Sequence, residues 1–287
     1  MNRFTLPTLC EASHKTGKTA SAVNIAYILN KRHNKRVLLI DNDKQGNTSK
    51  FFKCHDYSRP TIAEVLTEKD PNTLRDALRS LNSASEPWLD LLPANMNLLR
   101  AEKEILLDVS RAQQTRLKRA IKAMKDGGYH YDYAVIDCAP DLNMGVINAI
   151  VAADDILIPI KIDSFALDGV EQLLEQIEET RDFNPNVRVA GGFITMYTRN
   201  NVNTQGAEVL NERTGLPMFK TVIRKTVKVD ETTFTGQPLI DYAPKCTAAK
   251  DYEALVAEYL AGCSFRQDEK ADVTETSTNE RSGQNAG

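Results

Sequence analysis

"ASHKTGKTASAVNIAYILN", residues 12–30, places the triplet Gly17-Lys18-Thr19 directly ahead of a run with helical spacing. In a phosphate-binding loop, backbone N–H groups and a helix N-terminus surround the β-phosphate. A lysine bridges the β- and γ-phosphates, and a hydroxyl ligates Mg²⁺. The usual spacing, G-x-x-x-x-G-K-[ST], asks for glycine at position 12, where Ala12 stands. Taken alone, the triplet fits an ordinary helix start equally well. Its surroundings add weight. "RFTLPTL" (3–9) reads as a preceding strand if Pro7 falls at a strand end. "TASAVNIAYILNKR" (19–32) reads as a following helix with Ala22, Ile25, Ala26 and Leu29 facing inward.

The rest of the chain repeats this alternation. "RVLLI" (36–40), "YAVID" (133–137), "DILIPIKI" (155–162) and "VRVAGGFITMY" (187–197) are short, β-branched apolar runs expected to be buried strands. Between them, "MGVINAIVAA" (144–153) and "LDGVEQLLEQIEETRDF" (167–183) carry apolar residues at three- and four-residue spacing. In the second, Val170, Leu173, Leu174 and Ile177 form one core-facing stripe. Strands alternating with helices imply an α/β fold: a doubly wound, mostly parallel sheet flanked by helices, of the P-loop NTPase type. A ligand then sits at the carboxyl edge of the sheet. Residues 68–88 are polar and turn-rich, a surface excursion rather than a second domain. No internal repeat is present.

Two further segments bear chemistry. "VLLIDNDKQGNTS" ends a hydrophobic strand in Asp41 and Asp43, which alternate onto one side of an extended chain. Carboxylates there suit Mg²⁺ coordination and the positioning of a water; a solvated acidic turn is the plain alternative. In "YAVIDCAPDL", Asp137 ends another buried strand, either as an acid in the Mg²⁺ shell or as a strand-end cap.

With 287 residues, 41% hydrophobic content and a net charge of −3, the chain is not a globally basic nucleic-acid binder, although a local basic face is compatible with that total. Five scattered cysteines include no CxxC pair, so neither a disulfide framework nor a cysteine zinc site is expected. Cys138 has no evident companion in the sequence, which disfavours an iron–sulfur carrier and favours a buried, inert thiol. Without an apolar run of about 18 residues, no membrane span is expected, and a cytoplasmic location follows. From Arg266 onward the chain has almost no apolar residue and is expected to be disordered. The expected division is a nucleotide-binding domain over 1–264 and a polar tail over 265–287.

Together, "GKTASAVNIAYIL", "RVLLIDNDKQGNTS", "LDLLPANMNL", "YDYAVIDCAPDLNMGVINAIVAADDILIPI", "FALDGVEQLLEQIE" and "FKTVIRKTVKVDETTFTGQPLIDYAPK" resemble the ParA/Soj-type partition ATPases. These belong to the deviant Walker A group that includes MinD. The similarity runs from about residue 9 to 262. With no helix-turn-helix extension ahead of the first strand, the chain resembles the short form. The resemblance implies ATP and Mg²⁺ as ligands. Gly17, Lys18, Thr19 and Ala20 would then hold the nucleotide, with Lys18 on the β- and γ-phosphates and Thr19 on Mg²⁺. Asp43 matches the acid associated with water activation, and Asp41 and Asp137 would support the metal. It further implies an ATP-bound homodimer that binds DNA non-specifically, a ParB-like centromere-binding partner that stimulates hydrolysis, nucleoid association and no membrane. The matching basic residues are Arg199, Arg224, Lys225 and Lys228, which would contact phosphates rather than bases; a solvated surface is the other reading of that run.

The chain departs from the family's K-G-G-x-G-K-[ST] loop. Aligned without gaps, the signature lysine falls on Ser13 and the glycine pair on His14 and Lys15. A gapped alignment restores Lys15 as the signature lysine, with two glycines missing after it. Both lose the glycines that let the backbone approach phosphate closely. The sequence therefore supports two readings: a ParA-like partition ATPase, or a non-hydrolysing regulator that keeps the fold and binds DNA or a partner.

Overall fold

A computed structural model describes residues 5–10, 17–68, 70–141 and 143–263. His14 and Lys15, with the rest of residues 11–16, and the tail from 264 lie outside the described residues. Along the chain, β1 (Pro7–Leu9) leads to α1 (Lys18–Lys31) and β2 (Val37–Asn42). Then come α2 (Asn47–Phe51), α3 (Ile62–Thr67), α4 (Pro71–Ala77), β3 (Arg79–Ser80), β4 (Leu89–Leu92) and α5 (Asn97–Leu107). The second half runs α6 (Arg116–Asp126), β5 (Tyr133–Cys138), α7 (Met144–Ala152), β6 (Asp155–Ile160), α8 (Ala166–Glu179) and β7 (Arg188–Ile194). It closes with α9 (Asn201–Thr214), α10 (Val227–Thr235), α11 (Leu239–Tyr242) and α12 (247–263).

The strands form one seven-stranded sheet in the order β3-β4-β2-β5-β1-β6-β7, parallel except for the edge strand β3. Pro7 occurs at the first residue of β1, a place where a central strand tolerates the missing N–H donor. Side-chain alternation divides the core. Leu38, Ile40, Ala134, Ile136, Ile156 and Ile158 face one helical layer, which includes α3 and α5 to α8. Val37, Leu39, Val135, Leu157 and Phe193 face the other, which includes α1 and α12. The predicted stripe of α8 is in place: Val170, Leu173 and Ile177 are buried and Leu174 packs against them. Residues 68–88 form α4 and the edge strand, not a separate unit.

Register fixes what the sheet can do at its carboxyl edge. Asp137 on β5 pairs with Asp41 on β2 to one side and with Leu9 on β1 to the other. Three strand ends therefore reach the same level, and α1 begins beside them.

Candidate nucleotide site

Gly17 stands in the left-handed region, φ +79°, and its carbonyl accepts the first helical bond, from Ser21 N at 2.9 Å. Lys18 follows, only 5% exposed. Its charge bears on Asp137, and both Thr19 and Thr48 direct hydroxyls at that carboxylate; Thr48 Oγ1 donates to Oδ2 at 2.8 Å. Ala20 lies one residue further along α1. The predicted Lys18, Thr19 and Asp137 are thus brought together at one point. Asp137 Oδ1 is buried and has no hydrogen-bond partner among the described residues. Burial pushes the Asp137 carboxyl above the usual range, opposed by Lys18 and the two hydroxyls.

Asp41, fully buried, is held from behind. Ser49 donates to Oδ2 through its backbone N at 2.8 Å and its Oγ at 2.7 Å, and Asp43 N reaches Oδ1 at 3.3 Å. Burial first, and then the neighbouring Asp137 charge, raise the Asp41 carboxyl to about 7. Asp43 is 7% exposed, and its Oδ1 accepts from Gln45 N at 2.9 Å. The turn closes when Gly46 N donates to the Asp43 carbonyl at 2.8 Å. Gly46 needs to be glycine twice over: φ is +61°, and a Cβ there would meet Ala94 O and His55 Cδ2, each at 2.7 Å. Gly46→Ala should therefore lower stability by about 2–4 kcal/mol, measured as a drop in the urea midpoint with an unchanged slope.

Sequence reasoning missed a surrounding ring. Thr48 and Ser49 belong to the quoted "NTS" but read there only as polar turn residues. Asn42 Nδ2 donates to Gly145 O at 2.8 Å, which ties β2 to the first turn of α7. Glu102 of α5 accepts from the Gly145 N–H; burial raises its carboxyl and the Lys44 charge opposes the rise. No motif marks Glu102, because its partners are distant in sequence.

A narrow cavity of about 50 Å³ opens beside Gly17, lined by Thr195, Met196, Ile223, Arg224 and Lys225 among others. Tyr197 and Arg224 form a parallel bridge, which brings Arg199, Arg224 and Lys225 to one edge. Arg224 is held by Asp251, with Nη2 to Oδ1 at 2.6 Å, and Lys228 by Glu231, at 2.7 Å. Arg199 and Lys225 are exposed, with no side-chain partner among the described residues.

Cys138 does have a companion, contrary to the sequence reading. Leu9 pairs with Asp137, so the residues that follow, Cys10 and Cys138, are neighbours on one face, and the Cys10 contact together with burial pushes the Cys138 thiol well up. Among the described residues no group of three or more His, Cys, Asp or Glu could hold a metal. Mg²⁺ still fits here, because it usually takes one or two protein oxygens and draws the rest from phosphate and water. The orphaned Asp137 Oδ1 beside the Thr19 hydroxyl is such a donor set.

A lysine and a threonine opening the first helix of a parallel sheet, set against the acid that ends the neighbouring strand, make the phosphate-and-magnesium arrangement of P-loop NTPases, and this fold is of that class. Residues 13–189 match the family described as "AAA domain". The chromosome partitioning protein ParA of Caulobacter vibrioides is 34% identical over 254 residues, covering 88% of this chain and 92% of that protein. The sporulation initiation inhibitor protein Soj of Bacillus subtilis is 32% identical over 252 residues, covering 85% and 94%. Among solved structures, the cobyrinic acid a,c-diamide synthase of Mycobacterium smegmatis, with bound ATP analog and magnesium, superposes with a TM-score of 0.73 at 25% identity, covering 89% of this chain and 93% of that one. The chain belongs to the ParA/Soj-type P-loop ATPases.

Proposed function

We propose that the protein is a partition ATPase: it binds ATP with Mg²⁺, dimerises in that state and holds DNA through its phosphates. The observation that carries this reading is the meeting of Lys18, Thr19 and Thr48 on Asp137 at the carboxyl edge of the sheet. Lys18, already desolvated, meets the β- and γ-phosphates without further loss of hydration. Thr19 Oγ1 and Asp137 would hold the metal. Mg²⁺, when bound, neutralises charge on the phosphate oxygens. Asp43, with Oδ1 fixed by Gln45, keeps Oδ2 for the proton of an attacking water, while Asp41 anchors the turn through Ser49.

Residues 1–264 act in this proposal as one nucleotide-binding domain, with 265–287 as a polar tail. Arg199 and Lys225 are the principal DNA contacts, and Arg224 and Lys228 join once released from Asp251 and Glu231. A ParB-like protein is the partner, and the nucleoid the place of action. Among the described residues no helix is long and apolar enough to cross a membrane. Replacing Arg199 and Lys225 with alanine should weaken DNA binding alike on all sequences and reduce the salt slope by about 1–2. An unchanged slope would remove these residues from the interface.

The second reading, a non-hydrolysing regulator, is favoured by the missing glycine pair around His14 and Lys15. Phosphate release with DNA and a ParB-like protein, compared with Lys18→Ala, separates the two. Turnover above that control supports the ATPase. Turnover no higher than the control, but appearing once Gly-Gly is inserted after Lys15, supports the regulator.

A further inference from the structure

Residues unrelated to the nucleotide site enclose a second cavity, of about 290 Å³, between α3, α4 and α6. Its floor is apolar: Leu66, Leu74 and Met124 belong to the buried core. Its rim carries Arg75, Arg111, Arg116 and Arg119 beside two acids, on a chain whose total charge is −3.

The state of these charges decides what the cavity can take. Arg116 is 4% exposed and donates to Asp108 Oδ2 at 2.8 Å, and Arg111 reaches the same oxygen at 3.1 Å. One carboxylate therefore serves two guanidinium groups. Arg119 has no hydrogen-bond or ion-pair partner among the described residues. Both acids on the rim are engaged locally. Glu68 Oε2 accepts from the Thr73 hydroxyl at 2.6 Å, and Asp70 caps α4 by accepting from Asn72 N at 2.8 Å. Arg75 lies 3.6 Å from Asp76, and the neutral donors leave Glu68 and Asp70 charged, so the rim as a whole is close to balanced; Arg119 is the guanidinium with no carboxylate of its own, beside an apolar wall. A hydrated inorganic ion gains nothing from such a wall, and a neutral apolar molecule gains nothing from Arg119. The volume is close to the lower end of small-molecule pockets.

We propose that this cavity binds a small organic anion with an apolar or aromatic body and a phosphate or carboxylate head. The head meets Arg119 and the donors that Arg116 and Arg111 have to spare, and the body lies on Leu66, Leu74 and Met124. Guanidinium groups accept either head through paired N–H donors.

The test is calorimetric titration of the full chain with 1-naphthyl phosphate and with 1-naphthoate, against 1-naphthol and inorganic phosphate as controls. Saturable binding is expected for at least one naphthyl anion, with each control at least about tenfold weaker. Arg119→Ala, at an exposed position, should cost at least about tenfold in affinity with an unchanged melting temperature. Ala120→Phe, which fills the cavity, should abolish binding, whereas ATP·Mg²⁺ at saturation should leave it intact. Which anion binds distinguishes a phosphate-headed ligand from a carboxylate-headed one. Absence of saturable heat at about 1 mM, or affinity unchanged in both variants, would overturn the proposal.

Discussion

Lys18→Ala should weaken ATP·Mg²⁺ binding roughly 100-fold, a cost of about 2.8 kcal/mol. The size follows from burial. A surface lysine facing phosphate is screened by water, but Lys18 is 5% exposed and its charge acts on the fully buried Asp137. Removing it takes away the phosphate contact. It also leaves Asp137, level with Asp41 on the adjacent strand, as a buried acid without the cation that favours its ionisation. The metal then meets a site whose carboxyl holds its proton more firmly. Titration calorimetry of the variant against the parent chain checks this; affinity within about threefold of the parent would show that Lys18 does not face the phosphates.

Proton release should accompany nucleotide binding. Burial raises both Asp41 and Asp137, and the Asp137 charge lifts Asp41 further, to about 7, so near pH 6 the nucleotide-free pair retains a proton that an exposed aspartate would have lost. Mg²⁺ favours the ionised form and expels it. Close to one proton per nucleotide should appear at pH 6, falling toward zero by about pH 9, read from binding heats in buffers of different ionisation enthalpy. The same shifts carry a stability signature. A carboxyl with a raised folded-state value binds more protons folded than unfolded between about pH 4 and 7. Its contribution to the stability of the nucleotide-free protein is complete below that window and is lost as pH rises through 7. Equal proton release at pH 6 and pH 9 would contradict the buried pair.

Much of this was legible in the sequence because local pattern and tertiary role coincide. The apolar run ending in Asp137 is buried on both faces and so declares a central parallel strand, and the end of such a strand is where an acid has chemistry to do. The stripe Val170, Leu173, Leu174 and Ile177 has one period and one destination. Gly46 is different. "DNDKQGNTS" announces a turn, but only the fold reveals that Ala94 and His55 close over it. Glu102 was unreadable for a similar reason: its role depends on Gly145, contributed by another helix. The thiol pair was missed because Cys10 and Cys138 lie far apart in the chain and meet only through the β1–β5 register. Arg224, Lys225 and Lys228 read as one run of charge, yet carboxylates from α10 and α12 hold two of them. Charge counting along a chain does not see partners supplied from elsewhere.

Titration of the purified chain with ATP, once in Mg²⁺ and once in EDTA, addresses the gathering of Lys18, Thr19 and Asp137 around one metal-bound triphosphate. Saturable binding of one nucleotide per chain is predicted in Mg²⁺, at least about tenfold weaker in EDTA and weaker again in Thr19→Ala. No saturable binding at about 1 mM, or an affinity indifferent to both Mg²⁺ and Thr19, would contradict it.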